Sequence, residues 1–221
     1  MTTKAYTSTN AVSAMNCPWN DAVRQRPYAP LGSSVWTSSG QLSARGITAI
    51  AQAATGTMPP HVVKGGEPTR DSVSDAVQNA LVQAAQNGRG RLAIPFLASG
   101  IFASRMNPPC SKSELAGVIV RSAKAHAGRV TPVIVAWDHR DHADFKAAIA
   151  QEKATQVELV EGSITDFSLH GCDVIVNAAN MEVRFGGGIS GAIGSATGEI
   201  SKIDAEAARE VAAFWSANPG G

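Results

Sequence analysis

The chain has 221 residues, of which 44% are hydrophobic and 17% charged, and this balance excludes a wholly disordered protein. We expect one domain, alone or with an added segment, that folds without disulfides or metal ions. The net charge of +1 lacks the basic excess typical of proteins that bind long nucleic acids, although it leaves a single nucleotide open as a ligand.

The predicted elements alternate between strands and helices along most of the chain. Residues 1–31 are punctuated by prolines and predict a short helix or two, then a loop. Strands are predicted over 33–39, 47–55, 91–96, 130–137, 156–162 and 172–179. Helices are predicted from a cap at Thr69 to Asn87, from Ser111 or Ser113, over 140–153 and over roughly 203–215. Because several strands are apolar on both faces, the pattern indicates an α/β domain with a covered, mostly parallel sheet.

Cysteine usage and hydropathy predict a cytoplasmic protein without a membrane partner. The three cysteines, Cys17, Cys110 and Cys172, are widely spaced, which argues against a disulfide framework and against a zinc site. No apolar run reaches the ~18 residues of a membrane span, and the N-terminus lacks the apolar stretch of a signal peptide. We expect neither a bound metal nor a cofactor.

The stretch with the most chemical information follows the last predicted strand. That strand delivers Asn177 and Asn180 to its carboxyl end, where ligands bind in open α/β sheets. Gly186, Gly187 and Gly188 come next, followed by a segment that can begin a helix. Glycines let backbone N–H groups approach an anion, and a helix N-terminus adds a favourable dipole. The alternative is a glycine-rich turn without a ligand.

A second loop of small residues follows the strand at 91–96. It runs from Leu97 to Phe102 and again exposes backbone amides at a strand end. Phe102 would project into whatever the loop encloses, and ordinary core packing is the alternative for this side chain.

Taken together, these stretches resemble a macro domain, the ADP-ribose-binding module. The family's first strands and first phosphate loop are similar to GSITDFSLHGCDVIVNAAN and GGGISGAI, and its second phosphate loop is similar to IPFLASGIF. Its middle strands are similar to PLGSSVWTSSGQLSARGITAIAQAATG, and its last strand and helix to VTPVIVAWDHRDHADFKAAI. The resemblance implies a three-layer α/β/α sandwich with a mixed, mostly parallel sheet.

The order of these segments differs from that of the family, which has the glycine-rich loop first. The simplest explanation is circular permutation, with 31–155 similar to the family's C-terminal part and 156–217 to its N-terminal part. We expect 31–217 to form one domain and 1–30 to pack on it or extend it. A fragment of a tandem pair is the alternative. Each part carries one loop, so a complete site needs both parts, within one chain or by swapping between chains.

The resemblance implies a role for each matching residue. Asn180 would bind the distal ribose hydroxyls, since an amide both donates and accepts. Trp137 would stack beside the adenine, with a core tryptophan as the alternative, and Ile164 would form part of the opposite wall. The residues implied to hold the distal ribose and diphosphate are Gly186, Gly187, Gly188, Ile189, Ser99, Gly100, Ile101 and Phe102.

Two residues depart from the family's pattern. Ser163 stands where the family usually has an Asp that accepts from the adenine amino group, so we expect weaker and less adenine-specific binding. Ser190 stands where the strongly hydrolytic branch has an Asp that helps place the attacking water. A serine hydroxyl is a poor general base at neutral pH, so we expect slow or absent hydrolysis, with Asn180 and Ser190 as the catalytic candidates.

Other candidates carry less information. An acidic–histidine cluster at a predicted helix start favours a helix cap over a metal site; its members are Asp138, His139, Asp141 and His142. Gln52 and His61 are near the expected cleft but have no specific role. A cysteine nucleophile at Cys110 or Cys172 lacks a placed histidine.

Three functions remain open from the sequence. The first is recognition of ADP-ribose, free or attached to a protein or a small group. The second is weak hydrolysis of mono-ADP-ribosyl groups or of O-acetyl-ADP-ribose. The third is a degenerate module that binds another nucleotide or a protein.

Overall fold

A computed structural model of the chain describes residues 28–57 and 66–218, so the helix or two predicted near the N-terminus fall mostly outside the described residues. All six predicted strands are confirmed, with their ends trimmed by at most two residues. They are β1 (Ser34–Ser38), β2 (Ala49–Ala54), β3 (Arg91–Pro95), β4 (Thr131–Ala136), β5 (Glu158–Glu161) and β6 (Val174–Ala179).

The strands form one sheet in the order β1-β2-β6-β3-β4-β5. β1 is antiparallel to β2, and every other neighbouring pair is parallel. The sheet is therefore mixed and mostly parallel, as predicted. Both parts of the chain contribute to it, because β5 and β6 follow residue 155 and the other four strands precede it.

The described residues also form six α-helices. They are α1 (Arg70–Gln86), α2 (Lys112–His126), α3 (His139–Glu152), α4 (Phe167–His170), α5 (Gly188–Thr197) and α6 (Ile200–Ala217). α6 begins three residues earlier and ends two later than the stretch predicted from the sequence. The sequence did not predict the one-turn helix α4 or two short 3-10 helices, Gly40–Arg45 and Ala103–Arg105. Among the described helices none is long and apolar enough to cross a membrane.

Side-chain caps set where the three longer helices of the first part begin. Thr69 caps α1 and Ser111 caps α2, each in a reciprocal capping box with the residue three positions on. The carboxylate of Asp138 accepts hydrogen bonds from the backbone N–H groups of Arg140 and Asp141, each at 2.9 Å, and so caps α3. The cap predicted for the acidic–histidine cluster is confirmed.

The helices form two layers on opposite faces of the sheet. α1, α2 and α3 cover the face that carries Ile94, Ile134 and Val176. α5 covers the other face, against Ile50 and Ile175, and α6 packs against β1 on that same side. The result is an α/β/α sandwich. Side chains alternate along a strand, so Asn177 shares the α5 face with Ile175.

The two ends of the described chain lie against each other. The indole N–H of Trp215, in α6, donates to the carbonyl of Tyr28 at 2.8 Å. The backbone N–H and the hydroxyl of Ser38, in β1, both donate to the Glu206 carboxylate of α6, at 3.1 and 2.6 Å. The start and the end of the described chain are therefore close in space.

Candidate functional site

The two loops singled out in the sequence open at one edge of the sheet. β6 pairs in parallel with β3, through Leu92 with Val174 and Ala93 with Ile175. Because the carboxyl ends of parallel strands meet at the same edge, the residues that follow β6 and those that follow β3 are neighbours in space. We name residues 186–188 the glycine loop and residues 97–102 the second loop. The two strands that precede these loops are therefore neighbours in one sheet.

The glycine loop is exposed and leads directly into α5. A Cβ added at Gly186, Gly187 or Gly188 would meet no atom within 4 Å, and Gly188 has a positive φ of +60°. Gly187 is the N-cap residue of α5 and has no side chain to accept from the first turn. The backbone N–H groups at the start of this helix are therefore available to an external anion.

Two further glycines, which the sequence analysis did not single out, let the loop lie close to its own helix. A Cβ at Gly191 would lie 2.6 Å from the carbonyl oxygen of Gly186, and a Cβ at Gly194 would lie 2.9 Å from the ring of Phe185. Both distances are shorter than the normal separation between a Cβ and such an atom. The spacing of glycines inside ISGAIG was the sequence signal for this close packing.

Ser190 faces the sheet. It is 6% exposed, and its hydroxyl oxygen accepts hydrogen bonds from the side-chain amide of Asn177 and from the backbone N–H of Gly186, both at 3.1 Å. The hydroxyl therefore ties the glycine loop to β6. A second anchor comes from α6, where the Asp204 carboxylate accepts from the backbone N–H of Phe185 at 3.1 Å.

A row of buried polar side chains continues from Ser190 across the sheet. Gln52 of β2 and Asn177 of β6 are register partners and are fully buried. The amide nitrogen of Asn177 donates to the carbonyl oxygen of the Gln52 side chain at 2.6 Å, and the Gln52 nitrogen donates to the Thr37 hydroxyl at 3.4 Å. The side-chain oxygen of Asn177 is buried without a hydrogen-bond partner among the described residues. The sequence placed Gln52 near the cleft without a role, and the structure pairs it with Asn177.

Asn180 comes immediately after β6 and is partly exposed. Its side-chain oxygen accepts from the backbone N–H of Arg184 at 3.4 Å, and its carbonyl accepts from Val183 at 2.9 Å. These bonds hold the Asn180 side chain at the edge where both loops open.

The second loop has a buried base and an exposed tip. Ala98 has a positive φ of 57°, and the Ser99 hydroxyl donates to the carbonyl of Phe96 at 2.8 Å. Gly100 is exposed and Ile101 is 60% exposed. Phe102 is only 7% exposed and packs against the core beneath α1, α2 and α3. Most of its side chain is therefore buried in the core, as the alternative interpretation predicted.

The predicted base-binding residues differ in exposure. Trp137 follows β4 and is 60% exposed, so the alternative of a core tryptophan is wrong. Ser163 is partly buried, and its hydroxyl shares a hydrogen bond of 2.9 Å with the hydroxyl of Thr165. Ile164 packs into the core on the α5 face, and its carbonyl lies 3.0 Å from Nε2 of His170, which has a pKa lowered mainly by burial.

The metal and nucleophile alternatives gain no support. Within residues 28–57 and 66–218, no group of three or more His, Cys, Asp or Glu side chains is arranged to hold a metal ion. Asp141 forms an ion pair with Lys112 at 2.5 Å. Burial raises the pKa of the Cys172 thiol to about 11, and this residue lies just before β6, at the edge opposite the loops. His61 lies outside the described residues.

No protein-family model matches this chain, and no curated protein matches it either. Inference about its function therefore depends on the site itself.

Proposed function

We propose that the chain is a circularly permuted macro-type domain that binds ADP-ribose, free or attached to a protein or a small group. One observation carries the proposal: the glycine loop and the second loop come from different parts of the chain and follow the adjacent parallel strands β6 and β3. Two loops with accessible amides at one edge of the sheet would hold a diphosphate between them. Neither part of the chain supplies both loops, so their meeting is not a consequence of sequence proximity.

Each moiety of ADP-ribose has a candidate partner at this edge. The amides of Gly187 and Gly188, with the dipole of α5, would hold the diphosphate. The side chain of Asn180 would pair with the distal ribose diol. The exposed ring of Trp137 would stack on the adenine, which contributes about 1–3 kcal/mol per base in comparable sites.

Binding is expected to be in the micromolar range or weaker, about −8 kcal/mol or less in magnitude. Ser163 provides an uncharged acceptor that is already engaged with Thr165, so the adenine amino group gains less than it would from a carboxylate. Calorimetry with ADP-ribose, ADP, AMP, and cytidine and guanosine analogues measures this base preference. Ser163→Asp should tighten ADP-ribose binding, and an unchanged affinity with unchanged base preference would contradict the assignment of Ser163.

A pair of glycine substitutions tests the diphosphate seat. Gly188→Glu places a bulky negative side chain in the glycine loop and should abolish ADP-ribose binding. Gly88→Glu is the matched control, because Gly88 also has a positive φ, is exposed, and has no atom within 4 Å of an added Cβ. Gly88 precedes β3 and so lies at the opposite edge of the sheet. Equal affinities of the two variants would overturn the proposal.

Recognition is favoured over hydrolysis because of the surroundings of Ser190. Its hydroxyl has no charge, is buried, and already accepts two hydrogen bonds from the protein. The remaining groups, Asn180 and the loop amides, orient a substrate but supply no base. Turnover of a mono-ADP-ribosylated protein should be slow or absent, and Asn180→Ala should remove any that exists. Fast turnover that survives Asn180→Ala would contradict the proposal, and His61 and Asp138 would then be tested as the base.

A further inference from the structure

We propose that Ser190 and Asn177 are positioning residues, which draw the Gly186 amide inward and so hold the following amides of the glycine loop ready for the diphosphate. The inference rests on the proposed function for the identity of the ligand. The hydrogen bonds from which it is argued belong to the protein alone.

The two donors of the Asn177 amide and the two lone pairs of Ser190 are used in one consistent way. The side-chain nitrogen of Asn177 has two hydrogens, and it donates one to Gln52 at 2.6 Å and the other to Ser190 at 3.1 Å. The hydroxyl oxygen of Ser190 has two lone pairs, and it accepts from Asn177 and from the backbone N–H of Gly186. The Gly186 amide is thereby occupied inside the protein and is not available to a ligand.

The anchor begins in the buried interior of the sheet. Gln52 and Asn177 are fully buried partners on two central, paired strands. The residues of the glycine loop have no side chains that could fix its conformation. The bond from Ser190 therefore fixes the position of Gly186 relative to β6, and the ordering of the loop is achieved before a ligand arrives.

Removal of the Ser190 hydroxyl tests the anchor without any ligand. In Ser190→Ala the Gly186 amide loses its acceptor, and its hydrogen exchange, measured by NMR on the folded protein, should accelerate about tenfold. Ser190→Thr keeps the oxygen and should keep exchange slow. Ser195→Ala is the matched control, because Ser195 lies in the same helix and is exposed. If Ser190→Ala does not fold, Gln52→Met removes the buried acceptor of Asn177 and should accelerate the same amide less strongly.

Ligand selectivity separates a positioning role from a merely structural one. Ser190→Ala should weaken ADP-ribose and ADP about tenfold and leave adenosine unchanged, because adenosine has no diphosphate. Unaltered Gly186 exchange in Ser190→Ala overturns the anchor. Faster exchange with equal weakening of ADP-ribose and adenosine overturns the positioning role. If Ser190→Ala accelerates the exchange of the Gly186 amide but the natural chain does not bind ADP-ribose, the proposed function is overturned and the anchor stands.

Discussion

Gly191→Ala is the substitution that most directly perturbs the packing of the glycine loop on its helix. The added Cβ would lie 2.6 Å from the carbonyl oxygen of Gly186, whereas such atoms essentially never approach closer than 3.0 Å. The carbonyl must therefore retreat by at least about 0.4 Å, and this movement strains the bond from the Gly186 N–H to Ser190.

The expected magnitude is a balance of two effects. Alanine in place of glycine inside a helix stabilises the folded state by about 0.5–1 kcal/mol, and overpacking destabilises it by about 1–3 kcal/mol. For Gly191→Ala we expect a net loss of about 0.5–2 kcal/mol in the free energy of unfolding, together with weaker ADP-ribose binding. Gly117→Ala in α2 is the control, since its Cβ meets only the end of the Arg121 side chain, at 3.3 Å.

Urea unfolding and ADP-ribose titration measure both quantities in both variants. Gly117→Ala should be neutral or stabilising and should leave binding unchanged. If Gly191→Ala is as stable as Gly117→Ala and binds equally well, the close approach of Gly186 to the helix does not exist in solution and the account of the loop's anchoring is wrong.

Two further predictions concern titration. Burial raises the pKa of Asp204, so the folded protein disfavours its charged form and loses stability as the pH rises through that raised value. Asp204→Asn keeps an acceptor for the Phe185 amide and should be more stable than the natural protein at neutral pH. The difference in stability should vanish in acid, where Asp204 is protonated. A stability advantage of Asp204→Asn that grows in acid would refute this prediction. Burial raises the pKa of Cys172 from 9.0 to about 11, so its contribution to stability is present below pH 9 and is lost as the pH rises through about 11. Peptide mapping after iodoacetamide treatment of the folded protein at pH 8 should show Cys110 alkylated before Cys172, and the reverse order would contradict the burial of Cys172.

The periodicity and the caps of the sequence were enough to predict the main elements. Short apolar runs predicted all six strands. The predicted starts at Thr69, at Ser111 or Ser113, and at the acidic–histidine cluster correspond to the caps Thr69, Ser111 and Asp138, whose side chains accept from the first turn of the same helix. These signals are local, so they do not depend on how distant segments pair. The one-turn helix α4 was not predicted because four residues are too few to show a helical period.

The surroundings of the candidate site were harder to predict because they depend on register. Gln52 and Asn177 are 125 residues apart and become partners only when β2 and β6 align. The direction of the Ser190 hydroxyl depends in turn on where α5 packs over β6. Trp137 was ambiguous for a similar reason, since a tryptophan at a strand end is buried or exposed according to what covers it, and the structure leaves it 60% exposed.

The central place of β6 has a consequence for how the chain is made. β6 is the last of the six described strands to be synthesised, yet it lies between β2 and β3. Until it leaves the ribosome, a nascent chain holds two incomplete pieces, β1 with β2 and β3 with β4 and β5, and each has an unpaired hydrophobic edge. The sheet therefore closes only after Ala179 has been synthesised. A chain terminated before Val174 would keep two aggregation-prone sheet segments, because the strand that pairs with both would be missing. A chaperone that shields strand edges would be needed longest at this stage of translation.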